Sequence, residues 1–123
     1  MKSIEYINIQ IRLPKKQDQA WLEQLHILIL NNMNQPQFGN KQLAHFMQMS
    51  IRNLNYKVRL HTGFTPAKYI NEIRLLTAEI MLRNKTYNTV SEVCYAVGFQ
   101  KPAYFSILFK RRFNKLPSSY LHF

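Results

Sequence analysis

Residues 89–120 read TVSEVCYAVGFQKPAYFSILFKRRFNKLPSSY, and this stretch decides the fold. It begins with a short helical pattern that includes Glu92 and Val93, is interrupted at Gly98, and starts again at Pro102. Glycine adopts the positive φ of a tight corner without strain, and proline is favoured at the first position of a helix. A short helix, a glycine corner and a second helix with basic residues and no acid predict a helix-turn-helix.

The second helix of this stretch has two chemically different sides. The apolar side comprises Phe105, Leu108, Phe109 and Phe113. The basic side is predicted to comprise Lys110, Arg111 and Arg112. A helix built in this way can pack on a core and present positive charge to a polyanion.

The charge of the whole chain favours the same kind of partner. The 123 residues include 17 Lys and Arg against 6 Asp and Glu, which gives a net charge of +11, and 46% are hydrophobic. Residues 52–71 and 93–123 contain no acid at all, and these segments include both basic helices predicted here. A basic surface kept for solubility would not need acid-free segments that coincide with the two basic helices. Nucleic acid is therefore the expected partner, ahead of an anionic membrane surface.

Several function classes have no support in the sequence. The single cysteine, Cys94, rules out an internal disulfide and fits a reducing compartment, and its apolar neighbours predict a small buried core residue rather than a reactive thiol. No spanning segment, secretory signal, metal-ligand spacing among the four histidines, or catalytic motif is recognisable. We therefore expect a cytoplasmic protein that is not an enzyme and needs no metal or cofactor.

The N-terminal part of the chain divides into a tail and a helix. Residues 4–13 alternate apolar and polar side chains as a strand does, so residues 1–17 are predicted to be a tail or linker with a possible short strand. The tail is either flexible or the remnant of an upstream domain. A DNA-binding domain is then predicted over residues 18–123, starting with a helix that Asp18 caps.

Two further helices lead to a long central one. The first helix-turn-helix is predicted over residues 40–60, with Ser50 as the N-cap of its second helix. Gly63 then ends this helix, and a linker helix is predicted over residues 66–83. Its two apolar stripes predict burial on both sides, as expected of a helix that two small subdomains share. The second helix-turn-helix is predicted over residues 89–113.

The two units are related by an internal repeat. At a spacing of 50 residues, Leu43 and Ala44 correspond to Val93 and Cys94. At a spacing of 51 residues, the matching pairs are Leu54 and Phe105, Val58 and Phe109, Pro66 and Pro117, and Tyr69 and Tyr120. Such a pattern indicates a duplication.

The repeat also identifies the corner residues. A small residue, Ala44 or Cys94, lets the second helix of each unit cross the first closely. Four residues later stands Gly98 in the second unit but Gln48 in the first. A non-glycine residue with positive φ costs about 1 kcal/mol, so we predict a strained corner at Gln48.

The outward faces of the two second helices predict the contacts with DNA. In the first unit, Ile51, Leu54 and Val58 are predicted to face inward. The predicted base-reading residues are Arg52, Asn53, Asn55 and Tyr56 in the first unit, and Ser106 and Ile107 in the second. The predicted phosphate contacts are Ser50, Lys57, Arg59, Lys101, Lys110 and Arg111. Arginine reads guanine and asparagine reads adenine, whereas Ile107 offers only contact with a thymine methyl group. The first unit is therefore expected to supply most of the specificity, and the second mostly affinity and register.

SEVCYAVGFQKPAYFSILFKRRFNKLPSSY resembles the second helix-turn-helix of the AraC/XylS family, and LAHFMQMS, LNYKV, TGFTPAKYI and IRLLTAEIML resemble its first unit and linker helix. The resemblance covers residues 18–123. It implies about seven helices, an all-α fold with two recognition helices in successive major grooves of double-stranded DNA, and a transcription regulator that often contacts RNA polymerase.

The sequence departs from the family pattern at four positions. The arginine that is usual two residues after the core Leu or Phe is Tyr56 in the first unit and Ile107 in the second. The small residue expected at the first corner is Gln48, and the glycine expected before the proline is Asn114. These departures leave a protein-interaction module with a degenerate DNA face as the alternative function. The sensing or dimerising region usual in the family is absent from these residues, so the chain is either a DNA-binding domain that acts alone or the output domain of a larger sensor.

Overall fold

The computed structural model describes residues 16–121, which form six α-helices, one 3-10 helix and no strand. The α-helices are α1 (Lys16–Asn32), α2 (Asn40–Phe46), α3 (Ile51–Thr62), α4 (Pro66–Arg83), α5 (Val90–Ala96) and α6 (Pro102–Phe113), and the 3-10 helix is Pro117–Leu121. The all-α class with two helix-turn-helix units and a shared linker helix is confirmed. The strand considered for residues 4–13 lies outside the described residues.

Three helices begin at hydroxyl-bearing N-caps. The side chains of Ser50, Thr65 and Thr89 each accept a hydrogen bond from the backbone N–H three residues later, at 3.1, 3.3 and 3.1 Å. Such caps contribute about 1 kcal/mol each. They set the starts of α3, α4 and α5, and the cap at Ser50 was expected from the sequence.

The cap predicted at Asp18 is wrong. Helix α1 begins at Lys16, so Asp18 lies inside its first turn. There its carboxylate lies 3.7 Å from Nε2 of His61, near the end of α3. A negative side chain in the first turn still interacts favourably with the helix dipole, and here it also faces a neighbouring helix.

Helix α4 is the shared core of the two units. Eleven of its 18 residues are buried, and it contacts α1, α3, α5, α6 and the 3-10 helix. Its buried residues include Ile73 and Leu76, which belong to one predicted stripe, and Ala78 and Leu82, which belong to the other. Burial on both sides of α4 explains why neither unit needs a complete core of its own.

The internal repeat is visible in the backbone. Helices α2 and α5 each have seven residues, and α3 and α6 each have twelve. After the first helix of each unit, the N–H of Met49 donates to the carbonyl of Ala44, and that of Phe99 donates to the carbonyl of Cys94, both at 3.0 Å. The two corners therefore have the same hydrogen bond.

The corner residues also share a conformation. Gln48 has a φ of 57° and Gly98 a φ of 100°, so the strained corner predicted at Gln48 is confirmed. The residues that end α3 and α6 are likewise left-handed: Gly63 has a φ of 79° and Asn114 a φ of 63°. Asparagine tolerates this conformation better than most residues, which explains how it can stand where the family has glycine.

Arg74 of α4 joins the loop between α1 and α2 to the second unit. It is 6% exposed, its Nε donates to the carbonyl of Met33 at 3.1 Å, and a terminal nitrogen donates to the carbonyl of Gln35 at 3.1 Å. On the side of the second unit, its guanidinium lies 5.8 Å from the ring centre of Phe99. Burial lowers the pKa of Arg74. The carbonyl groups solvate the buried charge and the loop is held in place.

A second buried polar contact joins α1 to α4. His26 is 0% exposed, and its Nε2 forms a short hydrogen bond with the hydroxyl of Tyr69. Burial lowers the pKa of His26 from 6.5 to about 4 and raises the pKa of Tyr69. Both groups are therefore neutral in the folded protein near pH 7.

Candidate nucleic-acid interface

Helix α3 presents a polar face to the outside. Leu54 and Val58 are completely buried and fix the rotation of the helix on the core. The outward residues are Arg52, Asn53, Tyr56 and Arg59, which are exposed, and Asn55, which is half-buried. None of these five side chains forms a hydrogen bond, ion pair or ring contact within residues 16–121. Their donors and acceptors are thus available to a ligand.

Ile51 was expected to face inward and does not. It is the first residue of α3 and is 43% exposed. Leu54 and Val58, three and seven residues later, are completely buried, but the burial does not extend back to the first residue of the helix. An apolar periodicity extended to the first position of a helix does not establish burial there.

Two predicted phosphate contacts of the first unit are already engaged within the protein. Oγ of Ser50 accepts the capping hydrogen bond of α3, which leaves its hydroxyl hydrogen free to donate. Nζ of Lys57 lies 4.5 Å from the ring centre of Trp21 in α1. Lys57 is half-buried in this cation–π contact, so its side chain is directed toward α1.

Helix α6 presents an outward face that is mostly apolar. Phe105 and Phe109 are completely buried, whereas Tyr104 is 52% and Ile107 is 55% exposed. Ser106 is half-buried on this face. Tyr104 was not among the predicted site residues, although the spacing of 51 residues from Asn53 identifies it.

The basic residues of α6 divide between solvent and the core. Lys101, Lys110 and Arg111 are exposed, as phosphate contacts require. Arg112 was placed on the same basic side, and that placement is wrong. Its Nε lies 3.0 Å from both carboxylate oxygens of Glu72 in α4. Of these four cations, Lys101, Lys110 and Arg111 are therefore the exposed ones.

The residues predicted to have structural roles lie in the core or at the turns. Ala44 is 2% exposed, and Cys94, Phe105 and Phe109 are 0% exposed. Sγ of Cys94 lies 3.7 Å from the carbonyl oxygen of Phe99, and burial raises the pKa of the thiol. A thiol in these surroundings is a poor nucleophile.

Other kinds of site find no support in the part of the chain that the structure describes. Between residues 16 and 121, no group of three or more His, Cys, Asp or Glu side chains is arranged to hold a metal ion. None of the helices in that range combines the length and apolarity needed to cross a bilayer.

Comparison with known proteins places this architecture in a family. A family model described as a helix-turn-helix domain matches residues 43–122. A solved AraC-type transcription regulator from Chromobacterium violaceum has a similar fold, with a TM-score of 0.68, 23% identity, and coverage of 83% of this chain and 93% of that one. The chain belongs to the AraC-type helix-turn-helix family. This is a family of transcription regulators.

Two curated relatives are much longer than this chain. The HTH-type transcriptional activator RhaS of Salmonella arizonae is 39% identical over 75 residues, which are 61% of this chain and 27% of RhaS. The histidine kinase P4 of Formosa agariphila is 35% identical over 103 residues, which are 84% of this chain and 7% of the kinase. The chain thus spans about a quarter of the first protein and a small part of the second.

Solved structures agree on the fold. The DNA-binding domain of AdpA, a global transcriptional factor crystallised with a target DNA, has a TM-score of 0.72 and 28% identity, and the match covers 81% of this chain and 88% of that domain. The C-terminal domain of the response regulator yesN from Fusobacterium nucleatum has a TM-score of 0.74 at 21% identity, with coverage of 84% and 99%. The second similarity is one of fold alone.

Proposed function

We propose that this AraC-type chain binds double-stranded DNA in a sequence-specific manner and regulates transcription, with α3 and α6 in successive major grooves. The observation that carries the proposal is that two acid-free recognition helices, both with exposed outward faces, pack on the single helix α4. Because α4 is buried against both units, α3 and α6 are held in one fixed relation. A protein that reads two adjacent grooves needs such a relation.

The two helices would contribute different chemistry. On α3, Arg52 can bond to guanine O6 and N7, and Asn53 and Asn55 can each pair with adenine. On α6, Lys110 and Arg111 are suited to phosphates, which carry no sequence information directly. We expect α3 to provide most of the base discrimination, and α6 to provide affinity and register.

Relatives support this proposal. AdpA is described as a transcriptional factor bound to its target DNA, and RhaS as a transcriptional activator. Family membership also favours contact with RNA polymerase at a promoter, and a site of action at the nucleoid in the cytoplasm. In both longer relatives the matching residues are one part of a larger protein, which favours a role as an output domain. No catalytic activity is part of the proposal.

One alternative from another class has a structural observation in its favour. Ile27 of α1 is 43% exposed and Ile107 of α6 is 55% exposed, and exposed apolar side chains are common at protein interfaces. A protein-interaction module whose DNA face has decayed would therefore be consistent with these two residues. Such a module would hold DNA through phosphate contacts alone, if at all.

Selection from a pool of random duplexes, followed by a salt titration, tests the proposal. The 123-residue chain should enrich a defined sequence, and its preference for that duplex over a scrambled one should persist as salt rises from 50 to about 200 mM. The interaction module would be supported instead if no sequence were enriched, or if the affinities for the two duplexes fell to the same value as salt rises. A matched control is the Arg52→Ala variant, which removes an exposed guanidinium without disturbing the core.

A further inference from the structure

At two outward positions where α3 has hydrogen-bonding side chains, α6 has apolar ones. At the repeat spacing of 51 residues, Arg52 and Tyr56 of α3 align with Ala103 and Ile107 of α6. Ala103 is exposed and Ile107 is 55% exposed. Tyr104, between them, is 52% exposed, and within residues 16–121 its hydroxyl has no hydrogen bond. An exposed apolar surface on the face that enters a groove needs a complementary surface.

The core determines that these residues face outward together. Phe105 and Phe109 are 0% exposed, so the helix cannot rotate without bringing these two rings into solvent. Ala103 and Ile107 lie one turn apart on the opposite side, about 6 Å along the helix axis at 1.5 Å per residue. That distance corresponds to about two base-pair steps at 3.4 Å per step.

The surroundings of Ile107 fit a DNA groove. It lines a shallow depression of about 540 Å³ together with Ser106, Lys110, Arg111, Asn114 and Leu116. Two side chains of this rim are cationic, and no acidic residue lies anywhere from position 93 to the end of the chain. An apolar centre with a cationic rim matches a base edge between phosphates better than it matches a peptide, which would have to satisfy two unpaired charges.

We infer that α6 recognises thymine through its 5-methyl group, with Ile107 as the principal contact and Ala103 and Tyr104 beside it. The methyl group is the apolar feature of the major groove, and Ile107 and Ala103, which have no donors or acceptors in their side chains, can distinguish bases there only by contact with it. The inference rests on the proposed function and adds the chemistry of the second half-site. That half-site should contain thymine at one or more positions within about two base-pair steps of each other.

Replacement of thymine by uracil tests this inference, because it removes the methyl group and leaves every hydrogen-bonding atom in place. The probe is the duplex that the 123-residue chain enriches from a random pool, with deoxyuridine substituted at one thymidine at a time. Affinity should be measured by fluorescence anisotropy. Uracil at the contacted position should weaken binding about fourfold, the effect expected from exposing one buried methyl-sized group.

Two variants complete the design. Ile107→Ala should bind the thymine and uracil duplexes equally, because the side chain that contacts the methyl group is gone. Ile107→Arg should change the selected base at that position from thymine to guanine. Both changes are at an exposed position, and circular dichroism should show that the helices are retained.

The outcomes separate this inference from the proposed function. If the wild-type chain prefers a sequence but binds the uracil duplexes as tightly as the thymine duplex, the reading of thymine by α6 is wrong and specific DNA binding stands. A uracil effect of the same size in Ile107→Ala would also overturn it, because the methyl contact would then lie elsewhere. If no sequence is enriched at all, the proposed function and the inference both fail.

Discussion

Gly98 packs so closely against Met33 that a Cβ atom added to it would lie 1.8 Å from the carbonyl oxygen of Met33. That oxygen also accepts the hydrogen bond from Nε of Arg74. The corner of the second unit is thus pressed onto the chain that follows α1. Gly98 is required there both for its positive φ and for its missing side chain.

Gly98→Ala should therefore be far more damaging than the same change at Gly63. Both residues have positive φ, but nothing lies within 4 Å of a Cβ atom added to Gly63. Gly63→Ala should lower the free energy of unfolding by about 1–2 kcal/mol from backbone strain alone. Gly98→Ala should cost about 3 kcal/mol or more, because the clash with backbone adds to that strain. Urea unfolding measures both, and equal losses would show that the close approach to Met33 has no energetic consequence.

Gln48→Gly should stabilise the protein. Gln48 has a φ of 57° and is exposed, so the substitution relieves strain without removing a buried side chain. We expect a gain of about 0.5–1 kcal/mol in the free energy of unfolding, since the relief of strain exceeds the entropic cost of glycine. Gln48→Ala is the control, because it removes the same side chain and keeps the strain. A gain with alanine equal to that with glycine would mean that the side chain, and not the backbone, is unfavourable.

The ion pair between Glu72 and Arg112 should fasten α6 to α4. Glu72 has a side chain that is only 10% exposed, and the two groups meet at 3.0 Å. Arg112→Leu should lower the free energy of unfolding by about 2–3 kcal/mol, because it leaves a nearly buried carboxylate without its main counter-charge. The double variant Glu72→Met with Arg112→Leu should recover part of this loss. Strict additivity in the double-mutant cycle would show that the two side chains do not interact energetically.

Stability should fall with acid because of His26. The pKa of His26 is about 4 in the folded protein and 6.5 in an unfolded chain, so between these values the unfolded state binds more protons. Its contribution is therefore fully present above pH 6.5 and is lost as the pH falls toward 4, by on the order of 3 kcal/mol.

Urea unfolding of His26→Gln over the same pH range provides the control. The variant should be less stable at pH 7 but should lose much less stability between pH 6.5 and 4. A slope unchanged from the wild type would assign the acid sensitivity to other groups.

Arg52 and Lys110 should affect DNA binding in different ways. Arg52→Ala should relax the base preference at one position of the selected duplex, with a loss of about 1–3 kcal/mol in discrimination. Lys110→Ala should weaken all duplexes alike and reduce the slope of log K against log salt by about 1. Anisotropy titrations against matched and mismatched duplexes distinguish the two. Equal loss of specificity from both variants would contradict the division of labour between α3 and α6.

Much of the fold was predictable because its signals are local. Thr65 and Pro66 mark the start of α4, and a hydroxyl cap followed by proline acts within a single turn of helix. The corner at Gln48 was found by comparison with Gly98 fifty residues later, since a repeated unit needs the same backbone at the same place. The same repeat aligns Tyr104 with Asn53, so Tyr104 could also have been predicted as a site residue.

The candidate interface was predictable only in part. The buried positions Leu54 and Phe105 set the rotation of α3 and α6, and from that rotation the outward faces follow. The ends of the helices did not obey the pattern: Ile51 is exposed although the apolar spacing includes it. Whether a residue in a first turn is buried depends on where the preceding chain comes from, which periodicity does not contain.

The corners, the duplication and most helix boundaries were encoded within a few neighbouring residues or in one repeated spacing, and they predicted two helix-turn-helix units on a shared helix. The tertiary structure decided which charges remain for DNA. Lys57 lies over Trp21, and Arg112 binds Glu72 forty residues away, whereas Lys110 and Arg111 stay exposed. Basic residues of the same helix can face either water or a buried carboxylate. The packing of α6 against α4 determines which of the basic residues of α6 lies next to Glu72.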